Sequence, residues 1–222
     1  MLRKFGFLLL LCVLSFSVQA GKGHNKQASS PDNPRIYFET DLGKMVIELY
    51  PKYAPVTVEN FLAYVDSGFY EGTIFHRVID DFVVQGGGLT FDFKRKETRE
   101  PIKNESDNKL VNLQATLSMA RTSNPNSATS QFFINLNVHN THLDPQNGNP
   151  GYAVFGKVVE GFEVVKKIEK EPRGLYRSHP EAPNYPVRIL RTGRVVPEQD
   201  ESANKNASKQ AAEKAKKNKS KK

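Results

Sequence analysis

The 222-residue chain has no tryptophan and a single cysteine. That cysteine, Cys12, lies inside the first apolar run, so everything beyond it is free of thiols. A disulfide framework and thiol chemistry are thereby excluded for the rest of the chain. Stability must come from a hydrophobic core, which one domain of this length is able to bury. A long membrane-spanning run is missing too. Phe5 to Val18 is apolar apart from Gly6 and two serines, but it is shorter than the roughly 20 residues a spanning helix needs. With Arg3 and Lys4 ahead of it and Val18-Gln19-Ala20 behind, residues 1–20 predict a cleavable export signal; a retained anchor is the alternative. Cys12 sits mid-run behind Leu9, Leu10 and Leu11, with no small residue beside it, which argues against lipoprotein attachment.

An excess of one charge is absent where it would matter. The chain totals +8, but residues 1–20 carry +2 and residues 205–222, with eight lysines against Glu213, carry +7, which leaves −1 for residues 21–204. A near-neutral body does not call for an acidic partner, and no nucleic acid is expected. Residues 197–222 have no apolar stripe and read as a disordered lysine-rich tail that could touch anionic surfaces.

The remaining residues alternate short β-rich runs with turn signals. Polar residues 21–34 form a leader. Arg35 to Tyr50 reads as a hairpin around Asp41-Leu42-Gly43, with Met45, Ile47 and Leu49 on one face. Pro55 to Ser67 places Val58, Phe61, Leu62 and Val65 at helical spacing behind an N-terminal proline, and Gly68 stops it. Strands are predicted over Thr73–Ile79, Phe82–Gln85, Leu113–Ala120, Gln131–Leu136, Ala153–Val159 and Pro186–Val196, and a second helix over Phe162–Lys170. Gly86-Gly87-Gly88 is expected to break its strand; with no helix or lysine-serine end following, it is not a phosphate loop. Residues 91–108 and 138–150 read as loops. Many short strands with two helices fit a closed antiparallel barrel capped at its ends.

Residues 75–87 (FHRVIDDFVVQGG) place Arg77 in an alternating apolar run, with Phe75, Arg77 and Ile79 on one parity and His76 and Val78 on the other. A guanidinium there either snorkels to the surface or has its donors in use. Together with residues 117–136 (LSMARTSNPNSATSQFFINL), this stretch resembles the two signature segments of the cyclophilin family of peptidyl-prolyl cis/trans isomerases, in order and spacing. The resemblance spans residues 35–196. It implies a mainly β fold, a closed eight-stranded antiparallel barrel capped by two helices. It also implies an activity on X–Pro bonds of proline-containing polypeptides that needs no cofactor. A proline-binding chaperone or interaction module with little turnover is the alternative.

By the same resemblance Arg77 is the central catalytic donor, with Gln85 and Phe82 beside it. Val83, Phe133 and Leu143 complete a proline pocket, and Ala120, Arg121 and Gln131 run along the preceding residue. Val83 stands where the family usually has methionine. Tyr152 stands where many eukaryotic members carry histidine, which looks like the bacterial exported branch and points to a periplasmic location; a monomer is expected. His139-x-x-His142 with Asp144 is too small a set to imply a metal, and His76 reads as structural, since isomerisation moves no proton. His142 falls at or beside the family's tryptophan position. That tryptophan is associated with tight cyclosporin binding, so weak or no binding is expected here. An inhibition titration tests this, and low-nanomolar inhibition would contradict it.

Overall fold

The computed structural model describes residues 33–195. The expected export signal, most of the leader, Val196 and the lysine-rich tail lie outside that range. The elements run β1 (Arg35–Thr40), β2 (Gly43–Leu49), α1 (Pro55–Asp66), β3 (Thr73–Ile79), β4 (Val83–Thr90), β5 (Thr116–Met119), β6 (Phe132–Asn135), β7 (Val154–Glu160), α2 (Phe162–Lys170) and β8 (Ile189–Arg194), with a short 3-10 turn at Thr141–Leu143. The strands form one sheet in the order β3-β4-β6-β5-β7-β2-β1-β8, and every paired neighbour is antiparallel. Its two edges meet: Ile74 bridges Arg188, Phe75 N donates to Val187 O at 3.0 Å and Gly72 N to Ile189 O at 2.8 Å. The result is a nearly closed barrel with two helices, so neither edge strand is left to pair with another chain.

Local signals explain the elements. The β1–β2 register pairs Ile36 with Ile47 and Phe38 with Met45, and all four are fully buried. Thr40 Oγ1 donates to Gly43 O at 2.8 Å and accepts from Leu42 N at 3.2 Å, which closes the hairpin turn. Helix α1 starts at a proline and has no side-chain cap of its own. Glu105, from the long loop before β5, takes that role by accepting from Val56 N at 3.2 Å and Thr57 N at 2.8 Å. Val58, Phe61, Tyr64 and Val65 of α1, and Val164, Val165 and Ile168 of α2, join the barrel core. Rings dominate that core. Phe132 lies 5.5 Å from Phe38, 5.7 Å from Phe61, 5.6 Å from Tyr70 and 6.2 Å from Phe75, centroid to centroid. The Phe38 pair is stacked and the other three are edge-to-face; aromatic pairs of either kind add about 0.5–1.5 kcal/mol each beyond the area they bury.

The rings also correct two expectations. The glycine run does not break a strand; β4 passes through it. A Cβ on Gly86 would stand 2.9 Å from Phe75 Cδ1, and one on Gly87 2.8 Å from Phe132 Cε1 and 2.9 Å from Tyr70 Cε1. The glycines are where aromatic rings lie against backbone. Nor does β3 keep a simple alternation. β4 takes four steps from Thr90 to Gly86 while β3 takes two, and then β3 takes two from Phe75 to Arg77 against one on β4. His76 is the extra residue of that second bulge. Phe75 and Val78 both enter the core, while Arg77 comes to lie directly across from Gln85. The parity that grouped Phe75 with Arg77 is therefore undone. Smaller differences follow turn chemistry: β5 begins only at Thr116, after a turn in which Ala115 has φ 68, and β8 begins at Ile189 rather than Pro186.

Two outcomes follow for stability. Gly87 has φ +82, so Gly87→Ala combines left-handed strain with a clash against Phe132 and Tyr70; a loss of about 2–4 kcal/mol in urea unfolding is expected. His76 has a buried Nδ1 without a hydrogen-bond partner, and burial lowers its pKa from 6.5 to about 4, the Ile74 carbonyl pulling the other way. The unfolded chain then takes up this proton near pH 6.5 and the folded one only near pH 4. The stability held by the neutral ring is fully present above pH 6.5 and is lost as the pH falls toward 4, by at most about 2–3 kcal/mol. Unfolding midpoints across that window should fall less steeply in His76→Gln than in the parent; parallel curves would remove His76 as the cause.

Candidate active site

Facing away from the core, β4, β6 and the segments beside them present a second apolar cluster. Val83, Phe133 and Leu143 are buried in it, and Phe82, Ala120 and Tyr152 pack against them. Strand alternation puts it there. Val84, Phe132 and Ile134 point into the barrel, so Val83 and Phe133 point out. With Arg77, Gln85 and Arg121 these residues line a cleft of about 300 Å³. Its floor is apolar and its rim carries two guanidinium groups.

The turn that presents Phe82 is fixed from outside the cleft. Asp81, at φ 53, donates its N–H to Glu169 Oε1 of α2 at 2.9 Å, and Arg173 Nη2 donates to Asp80 Oδ1 at 2.7 Å. Glu169 is buried and stays below the usual carboxylate range: desolvation works against the charge, but the Lys166 ammonium and the Asp81 N–H outweigh it. A buried polar cluster fixes the other wall. Asn140 Nδ2 donates to Phe82 O at 2.9 Å and to Asn135 Oδ1 at 2.8 Å, and Asn135 Nδ2 donates to Thr116 Oγ1 at 2.9 Å and Asn112 Oδ1 at 3.1 Å. Asn112 in turn donates both N and Nδ2 to Asp144 Oδ1 at 2.8 Å, beside Leu143. These groups are buried and satisfied, so the strands, the 3-10 turn and Phe82 move as one unit.

Arg77 Nε donates to Glu181 Oε2 at 2.6 Å and Nη1 to Gln85 Oε1 at 3.4 Å. Gln85 Nε2 donates to Gln131 Oε1 at 3.0 Å, and the Gln131 side chain lies over Gly88, where a Cβ would come within 2.4 Å of it. Arg121 lies 4.3 Å above the Tyr152 ring and donates Nε to Gly151 O at 3.0 Å. Tyr152 meets Phe133 edge-on at 5.6 Å.

Of the residues singled out from the sequence, Arg77, Phe82, Val83, Gln85, Ala120, Arg121, Phe133, Leu143 and Tyr152 line this one cleft. Gln131 reaches it through Gln85. His142 does not line it; its imidazole stacks on the Phe82 ring at 5.4 Å. Asp144, once a conceivable metal ligand, is engaged with Asn112. Sequence reasoning missed Glu181 and the asparagine cluster. Asn135, a polar residue inside FFIN, was the one available signal for the cluster. Glu181, 104 residues from Arg77, gave none.

Other proteins resemble this chain in sequence and fold. Residues 35–194 match the family described as cyclophilin type peptidyl-prolyl cis-trans isomerase/CLD. The chain is 51% identical over 158 residues to a peptidyl-prolyl cis-trans isomerase of Acinetobacter baylyi, covering 71% of this chain and 84% of that one. It is 47% identical over 157 residues to peptidyl-prolyl cis-trans isomerase B of Escherichia coli, covering 69% and 95%. A crystal structure of a cyclophilin type isomerase from Cryptosporidium parvum superposes with a TM-score of 0.59 at 28% identity, covering 74% of this chain and 99% of that one. Barrel, cleft and sequence together place the chain in the cyclophilin family of peptidyl-prolyl cis-trans isomerases.

Proposed function

We propose that this isomerase lowers the barrier to X–Pro rotation without covalent chemistry, by holding the proline ring on the apolar floor and aiming Arg77 at the twisting amide. Cyclophilin isomerases act on proline-containing polypeptides, and the physics of the bond sets what the cleft must do. Amide resonance gives peptide bonds a rotation barrier of about 18–20 kcal/mol. In the twisted state the prolyl nitrogen pyramidalises and exposes a lone pair that the planar amide lacks. A donor that bonds this lone pair stabilises the transition state and leaves the ground state alone. No proton changes hands, so no general base is required.

The observation that carries this reading is the guanidinium itself. Arg77 stands at the rim of an apolar cleft, with Nε on Glu181, Nη1 on Gln85, and Nη2 without a partner among the described residues. Phe82, Val83, Phe133 and Leu143 supply a ring-sized apolar wall opposite it. A module that only bound proline would need that wall and not the oriented donor, which favours turnover over the chaperone reading.

The biological role follows from the predicted export signal. Slow X–Pro isomerisation limits folding after a chain crosses a membrane, so the reading extends to assistance of exported proteins in a bacterial periplasm, by a monomer whose lysine-rich tail contacts anionic surfaces. On a short X–Pro peptide, Arg77→Ala is expected to lower kcat/KM by at least about tenfold, roughly 1.4 kcal/mol, while the circular dichroism spectrum stays unchanged. A folded parent protein that fails to accelerate the peptide would instead support the binding module.

A further inference from the structure

We infer that Glu181 is a positioning residue for Arg77, and that the segment between α2 and β8 exists in part to carry it there. The inference rests on the reading of Arg77 as the donor to the prolyl amide. Its own observation is the 2.6 Å contact from Arg77 Nε to Glu181 Oε2. Glu181 is not among the residues that line the cleft. Its carboxylate therefore holds the guanidinium from outside, on an edge the substrate does not use, and does not compete with the amide.

The placement of Glu181 is built rather than incidental. Its carbonyl accepts from Val78 N at 2.8 Å, so its backbone is tied to the residue next to Arg77 on the same strand. Ala182, the next residue, is fully buried, and its N–H donates to His179 O at 3.0 Å. The segment is closed on itself by Asn184 N to Pro172 O at 2.6 Å, by Leu175 N to Asn184 Oδ1 at 2.8 Å and by Tyr176 Oη to Asn184 O at 3.0 Å. It is then stapled to the loop after β4. Phe93, held at φ 60, stacks on His179 at 4.5 Å and packs against Tyr176 at 4.7 Å. A freely mobile surface carboxylate has no such scaffold.

A guanidinium on a flexible stem loses rotamer freedom whenever it is aimed. Two holders at different nitrogens fix both the position and the plane of the fork, and leave the third nitrogen to point. Gln85 alone, at 3.4 Å from Nη1, is a weak holder. Glu181 makes the short, charge-assisted bond. Side-chain exposures of 36% for Arg77 and 45% for Glu181 keep the pair wet, so it orients the arginine more than it stabilises the fold.

The test measures kcat and KM separately for Glu181→Ala, Glu181→Gln and Glu181→Asp on one X–Pro peptide, together with the Arg77 Nε–H resonance. Glu181→Ala is expected to lower kcat roughly three- to tenfold with KM nearly unchanged, and to shift the Nε–H signal toward that of a solvated arginine. Glu181→Asp should recover part of both, and Glu181→Gln should fall between. In an Arg77→Ala background the loss from Glu181→Ala should vanish, because the two act through one group. If Arg77→Ala is inactive while Glu181→Ala turns over like the parent, the positioning role is wrong and the reading of Arg77 stands. If Arg77→Ala retains full activity, both fall together.

Discussion

Everything in this molecule depends on the barrel being filled with rings. Phe38, Phe61, Tyr70, Phe75, Phe132 and Phe155 occupy its interior, fully buried and in ring contact with one another. The surrounding backbone yields to that packing. β4 gives up side chains at Gly86 and Gly87, and β3 accepts an extra residue at His76. That bulge lets Phe75 and Val78 both turn inward while Arg77 turns outward against Gln85. The position of Arg77 on the outside wall is thus a by-product of the steric solution inside it.

A second layer, polar instead of aromatic, carries order from the core to the cleft. Asn112, Asn135 and Asn140 are almost fully buried, which would be costly if any amide lacked a partner. Each has several, and their partners belong to β5, to the turn before β4 and to Asp144 just after the 3-10 turn. Apolar side chains of the same size would fill the space, but they would not fix the separation between Phe82 and Leu143. Helix α2 contributes in the same way through Glu169, which holds the Asp80–Phe82 turn in a conformation that Asp81 would not otherwise favour.

How much of this could be read from the sequence depended on how local the cause was. Both helices were legible to within a residue, because Pro55, Gly68 and the spacing of Val164, Val165 and Ile168 are short-range signals. The hairpin of β1 and β2 was legible for the same reason. The glycine run was misread because what makes it necessary, the rings of Phe75, Tyr70 and Phe132, belongs to other strands. The face of Arg77 was misread because a bulge is a property of a strand pair and leaves no mark on one strand's alternation. Most of the cleft came from the two signature stretches, which hold Arg77, Phe82, Val83, Gln85, Ala120, Arg121 and Phe133. Glu181 lies in a stretch with no periodicity and no motif, and only the folded chain brings it to β3.

The cleft sits on the outer wall of a closed barrel, and this bears on what can enter it. A buried chamber would require a polypeptide to thread a free end. A shallow groove on a wall can take a proline from the middle of a long chain, with the segments before and after it continuing away on either side. Such a site places no condition on chain length or on the distance of the proline from a terminus. It asks only that a few residues around the bond be extended and uncovered. On the proposed reading, a proline packed inside a finished domain would not reach the groove, whereas one in an extended, uncovered segment would.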